Sequence, residues 1–373
     1  MLHTYQKPLC GNTVGIVFGS FAPLHQGHLD LIMRAKKECD GGCIVVSCGF
    51  DGDKGEPMMP HRLRYRYVRE FFQDDDLVAV YAINDTELGL NNYPDGWDGW
   101  LDEFERIFKV ATAGMDIPPK RRWYVGDLEY YQDLDSRGEV AVLVDRKADN
   151  PICATMIRND PIGNWDKITT PFRRVFSTNI LICGTASEGK TTMVRDLGKY
   201  FNAPYSYEWA REYMEESCLS EWELDGADYI AFLEGQYRLN KKLINSPANH
   251  GVFFADTDSM VTRMYAEYYA KDADLALTDA ELEKVCLVAD EITAKCRWDK
   301  IFLIAPHGKF VDDHSRYMGH SDMAIREELY EILCNNLKRS GNWDKVVVLN
   351  GGYYDNFLAV VDYVKGVMKH GKN

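Results

Sequence analysis

Residues 179–201 read NILICGTASEGKTTMVRDLGKYF. An apolar run ends at Cys183, the segment Gly184-Thr185-Ala186-Ser187-Glu188-Gly189-Lys190-Thr191 follows, and a stretch of helical periodicity comes after it. The spacing G-x-x-x-x-G-K-T in that setting predicts a strand, a tight loop and a helix N-terminus. Glycines let backbone N–H groups converge on a phosphate, and the helix start adds a favourable partial charge. Lys190 is placed to reach the β/γ-phosphates and Thr191 to hold Mg²⁺. Gly184, Ser187, Gly189, Lys190, Thr191 and Thr192 are thus the expected nucleotide-binding residues of this half.

Working outward, VFFAD (252–256), KIFLIA (300–305) and KVVVLN (345–350) read as further strands of the same sheet. Asp256 closes the first of these and is expected to face the metal with Thr191; Asp258 is either a substrate contact or a helix N-cap. After the short strand candidate PYSY, Glu208 and Arg211 are expected at the substrate, Glu208 as the base for a hydroxyl nucleophile. Arg316 lies in GKFVDDHSRYMGHSD, whose composition suits a mobile lid. It is expected to stabilise charge on a transferring phosphoryl group, with Arg326 a weaker candidate.

The first half repeats the theme with different residues. TVGIVF (13–18), CIVVSCG (43–49), LVAVYAI (77–83), RWYVG (122–126) and VAVLV (140–144) read as strands separated by amphipathic stretches. The first strand runs into GSFAPLHQGH (19–28). Gly19, Ser20, Phe21 and Gly27 would form a second phosphate-sized cradle at a helix start, with His25 and His28 supplying hydrogen bonds or positive charge. The turn YPDGWDGW brings Tyr93, Trp97 and Trp100 together, and its two indoles would offer a flat face to an aromatic base.

At 373 residues the chain exceeds one ordinary core, and the fold class expected is α/β with two parallel-sheet domains. PIGNWDKITTPFRR (161–174) lacks periodicity and carries two prolines, which sets the boundary near 170–177 and the domains at 1–172 and 173–373. With 43 Lys and Arg against 58 Asp and Glu the net charge is −15, which argues against a nucleic-acid or anionic-membrane partner. Ten cysteines form no C-x-x-C pair. They read as reduced, inert thiols of a cytoplasmic protein. No apolar run approaches a membrane span.

The strand followed by His25-Gln26-Gly27-His28 resembles the HxGH nucleotidyltransferase superfamily. Ile152-Cys153-Ala154-Thr155-Met156-Ile157-Arg158 resembles its second signature, I-S-x-T-x-x-R, with Cys153 where the family pattern has Ser. Together with YPDGWDGW, Tyr207-Glu208-Trp209-Ala210-Arg211-Glu212 and Phe254-Ala255-Asp256-Thr257-Asp258, the chain over roughly 13–370 resembles the NadR-type bifunctional proteins. The resemblance implies an NMN adenylyltransferase domain followed by a ribosylnicotinamide kinase domain, together making NAD in a salvage route. It implies that His25, His28, Thr155 and Arg158 bind ATP phosphates and that Trp97 or Trp100 stacks on nicotinamide. Glu208 and Arg211 would lie against the ribose of ribosylnicotinamide, and Lys190 and Thr191 would serve ATP and its Mg²⁺.

The expected ligands are therefore ATP, NMN and ribosylnicotinamide, with Mg²⁺ as cofactor and a homo-oligomer compatible with the sequence. The helix-turn-helix repressor domain of many family members would be absent, since about a dozen residues precede the first strand. Glu208, Asp256 and Asp258 all stay open as the kinase base. Two other readings stand beside this one: a nucleotidyltransferase–kinase fusion for a different small substrate, and a nucleotide-sensing regulator.

Overall fold

The computed structural model describes residues 6–53, 58–144, 151–271, 277–307 and 322–370. The chain divides into two compact units, Met1–Phe176 and Ser177–Asn373. In the first, β1 (Thr13–Gly19), α1 (Gln26–Glu38), β2 (Cys43–Gly49), α2 (His61–Phe71), β3 (Val78–Asn84), α3 (Trp97–Ala111), β4 (Lys120–Val125), α4 (Leu128–Ser136), β5 (Ala141–Leu143), α5 (Ala154–Asn159) and α6 (Thr170–Phe176) follow in order. The second holds β6 (Thr178–Gly184), α7 (Lys190–Phe201), β7 (Tyr205–Ser206), α8 (Trp209–Ser217), α9 (Gly226–Ile244), β8 (Val252–Ala255), α10 (Ser259–Tyr269), α11 (Asp279–Lys295), β9 (Lys300–Ile304), α12 (Met323–Arg339), β10 (Val346–Leu349) and α13 (Tyr353–His370).

Both sheets are parallel and five-stranded, ordered β3-β2-β1-β4-β5 and β10-β9-β6-β8-β7. Their strands are continuous apolar runs because helices cover both faces, so alternate residues feed two cores. In β1, Val17 joins the core with Ile32 and Phe172, while Val14 and Ile16 join the one with Phe104 and Trp123. In β6, Ile180 and Ile182 pack with Leu197 and Val361, while Leu181 and Cys183 pack with Leu329 and Leu333.

In each sheet the first strand is central and its neighbours come from opposite directions of winding. Such a reversal opens a crevice at the strands' carboxyl ends, where α/β proteins bind ligands. Both glycine-containing loops of the sequence sit there, after β1 and after β6. The units divide four residues beyond the expected 172/173, because α6 buries Phe172, Val175 and Phe176 in the first unit's core. All ten cysteines are free thiols. No described helix is long and apolar enough to cross a membrane.

Candidate functional site

In the first unit the chain leaves β1 through Gly19 and Ser20, and Phe21 takes a left-handed conformation (φ 45°) with its ring buried. His25 is the N-cap of α1 in extended conformation, and its side chain makes no cap bond. The imidazole is instead held against that of His28, with ring centroids 3.8 Å apart, and Phe21 meets His28 edge-on. Gly27 is closely packed: a Cβ there would lie 3.2 Å from His25 Cε1 and in ordinary contact, 3.5 Å, with Ile152. Arg158 on α5 donates from Nη1 to the Ala22 carbonyl at 2.6 Å and from Nη2 to Thr155 Oγ1 at 3.1 Å. Two motifs more than a hundred residues apart thus meet at one helix N-terminus, with two imidazoles and a guanidinium around it.

Gly19, Ser20 and His28 line one end of a cavity of about 1730 Å³, counting its open mouth, and Tyr93, Trp97, Trp100 and Tyr130 line the other. Asp85, at the end of β3, also lines it, and burial together with nearby Asp53 pushes its carboxyl up to about 6, against the pull of Arg64. Arg64 is fully buried and donates to the Ser20 carbonyl at 3.0 Å, which ties α2 to the loop after β1.

In the second unit, β6 ends at Gly184 (φ 148°), where a Cβ would strike the Ile304 carbonyl at 2.7 Å. The loop closes through Ser187 (φ 63°) to Gly189 (φ 75°), the N-cap of α7. These left-handed turns aim successive amides into the loop, the concavity that holds a phosphate. Lys190 is buried and folds back so that Nζ donates to the Thr185 carbonyl at 2.7 Å. Thr191 Oγ1 donates to Asp256 Oδ2 at 2.5 Å, and buried Oδ1 of Asp256 has no hydrogen-bond partner. Burial pushes the Asp256 carboxyl up, while Lys190 pulls it down.

Glu208 is the N-cap of α8 and stands 3.7 Å from Arg211. Both line a cavity of about 730 Å³, counting its open mouth, that runs from Ala186 and Lys190 to Tyr229, Phe232, Tyr265 and Tyr269. Both also border a second hollow with Thr191. The phosphate loop, a carboxylate and an aromatic-walled recess are thus contiguous.

Comparison with known proteins agrees with this division. A model of cytidylyltransferase-like domains matches residues 16–159 and one of AAA domains matches 179–355. The trifunctional NAD biosynthesis/regulator protein NadR of Escherichia coli (strain K12) is 30% identical over 372 residues, covering 95% of this chain and 83% of the relative. Its counterpart in Salmonella typhimurium is 28% identical over the same shares. The chain belongs to the NadR family. A crystal structure of NadR protein in complex with NR is 35% identical with a TM-score of 0.81 over 98% of both chains. One in complex with NAD and AMP-PNP is 34% identical with a TM-score of 0.78 over 98% of this chain.

Within this NadR-family chain several expectations need correcting. Trp97 and Trp100 do not sit in a turn. They open α3, stack on each other at 4.9 Å and are each 5% exposed, because a spacing of three places both on the helix face that meets the core. Trp97 Nε1 donates to Asp133 at 2.6 Å. Both line the cavity as members of a packed aromatic cluster. The Phe21 side chain is likewise core.

Of the two expectations for Asp258 the structure shows the helix cap: it N-caps α10, accepting from the amides of Met260 and Val261, and its second oxygen accepts from Trp298 Nε1 at 2.9 Å. It is 1% exposed, with both carboxylate oxygens engaged. Arg326 is buried in an ion pair with Glu188 of the phosphate loop, at 2.8 Å. Thr192 is exposed on the first turn of α7. Arg316 and residues 308–321 lie outside the described residues.

Residues the sequence reading passed over include Arg64, Asp85, Glu188 and the tyrosines of α9 and α10. Arg64 carries a legible signal, since it falls on the buried face of α2 with His61 and Val68.

Proposed function

We propose that this chain carries out two consecutive steps of NAD synthesis, each in its own unit. The second unit transfers the γ-phosphoryl of ATP to ribosylnicotinamide, and the first adenylylates the resulting NMN to NAD and pyrophosphate. The observation that carries the reading is the pairing, in each unit, of a phosphate cradle at the sheet's crevice with a contiguous aromatic-walled recess for the second substrate.

In the kinase unit the nucleophile is a sugar hydroxyl, whose proton must leave. Asp258 is committed to the backbone, and Asp256 is engaged with Thr191. Glu208 faces both the phosphate loop and the substrate cavity, so it is the carboxylate best placed to orient the hydroxyl and take its proton. Lys190 neutralises charge on the transferring group and Arg211 steadies Glu208. Mg²⁺ fits Thr191 and Asp256, a hydroxyl and a buried carboxylate with a spare oxygen. When bound, Mg²⁺ supplies charge neutralisation for the phosphate oxygens.

In the adenylyltransferase unit the nucleophile is the NMN phosphate, already anionic at neutral pH. The residues need only align the reactants and stabilise charge at the α-phosphorus, for which His25, His28, Thr155, Arg158 and the amides opening α1 are disposed. The test is a split of activities. Lys190→Ala is expected to stop NMN formation while NMN added directly still yields NAD, and His28→Ala to do the reverse. Loss of both activities from either substitution would refute the assignment of one step to each unit.

A further inference from the structure

The cavity of the second unit is chemically two-ended. Near the phosphate loop it carries Lys190, Arg211 and Glu208; its remaining walls are mostly apolar and aromatic beside Thr257 and Thr262, with Tyr229, Phe232, Tyr265 and Tyr269 the largest groups. One further carboxylate borders it, that of Glu221, from the short 3-10 turn Glu221–Glu223. Tyr269 donates its hydroxyl to Glu221 Oε2 at 3.1 Å, which fixes the carboxylate against the aromatic box. Burial first and the Glu221 charge second push the Tyr229 and Tyr269 hydroxyls above their ordinary range, so the charge is felt across the recess.

A carboxylate beside several aromatic rings is the chemistry that recognises an organic cation: ring faces attract positive charge, and a fixed anion in a partly desolvated site adds a directional term. A neutral aromatic base would gain only the stacking. We infer that Glu221 is a specificity-determining residue of the kinase unit, reading the permanent positive charge of a pyridinium nucleoside and disfavouring nucleosides with an uncharged base. The inference rests on the kinase assignment above and sharpens it, since the pyridinium ring of ribosylnicotinamide carries that charge whatever the pH.

The test uses the full chain with ATP and two substrates of nearly one shape: ribosylnicotinamide, and benzamide riboside, in which a ring carbon replaces the charged nitrogen. The wild-type protein is expected to favour the cation by about tenfold or more in kcat/KM, and Glu221→Gln to remove most of that preference, mainly through KM for ribosylnicotinamide. Glu221→Asp retains the charge and most of the preference. Tyr269→Phe, which removes the hydrogen bond but not the charge, retains it too. A wild-type protein indifferent to the charge overturns the inference without any variant. So does a Glu221→Gln variant that lowers both substrates equally, since that is the signature of a residue that only holds Tyr269. Absence of turnover with ribosylnicotinamide would instead overturn the kinase assignment, and this inference with it.

Discussion

Arg326→Ala should destabilise the second unit more than any exposed charge substitution could. The Glu188 side chain is 0% exposed and that of Arg326 3%, with Nη1 2.8 Å from Oε1. At an effective dielectric of about 20 the attraction between unit charges at that distance is roughly 6 kcal/mol, most of it offset by the cost of taking both ions out of water. Truncating the arginine leaves that cost on Glu188 without the attraction, a loss of about 3–5 kcal/mol in comparable buried pairs. The low end applies here, because the His307 amide donates to Glu188 Oε2 at 3.3 Å and its Nδ1 stands 3.3 Å from the same oxygen. Glu188 also sits between Ser187 and Gly189, the two left-handed residues that shape the phosphate loop, so a rise in KM for ATP should accompany the loss. Urea unfolding followed by fluorescence, with ATP kinetics in parallel, measures both. A double variant, Glu188→Leu with Arg326→Leu, should lose less than Arg326→Ala alone. An Arg326→Ala protein within about 1 kcal/mol of wild type, or a double variant at the sum of the two losses, would refute the reasoning.

Three more outcomes follow from the structure. Lys190→Ala should lower kinase kcat by about a thousandfold and leave the adenylyltransferase rate with supplied NMN unchanged; initial rates with each substrate decide it. Asp85, with its folded carboxyl near 6 against about 3.9 when unfolded, binds its proton more tightly in the folded state. It therefore costs stability above about pH 6 that is recovered as pH falls toward 4, and Asp85→Asn should stabilise the first unit by about 1 kcal/mol at pH 7, allowing for its partial exposure, and by nothing at pH 4. Thermal denaturation at the two values tests the sign. Cys153 caps α5 with extended backbone and no side-chain bond, so Cys153→Ser, which supplies a good cap acceptor, should stabilise the first unit by about 0.5–1 kcal/mol; an unchanged melting temperature would show that the cap is not limiting.

How much of this was legible in the sequence depends on whether the signal was local. The β-branched runs located nine of the ten described strands, with PYSY a short candidate for the other, and two loops named their own chemistry, because phosphate binding by backbone amides needs glycines and a helix start at fixed spacing. Interactions across the fold were not legible. Asp256 and Asp258 are two residues apart on one turn, yet one meets Thr191 and the other turns into a cap and Trp298; only the placement of α10 and Trp298 separates them. Glu188 occupies a variable position of its motif, and its partner lies 138 residues away. The tryptophans were misplaced because a proline-glycine turn signal was extended over residues whose spacing of three was already helical. Arg64, an arginine on the apolar face of an amphipathic helix, could have been found by the same periodicity argument.

The most direct test of the whole account is a time course of purified protein with ATP, Mg²⁺ and ribosylnicotinamide, with NMN and NAD quantified separately. The account predicts that NMN appears first and is then converted to NAD by the same preparation. If neither product forms while ATP still binds, the assignment of these two cavities to nicotinamide substrates is wrong.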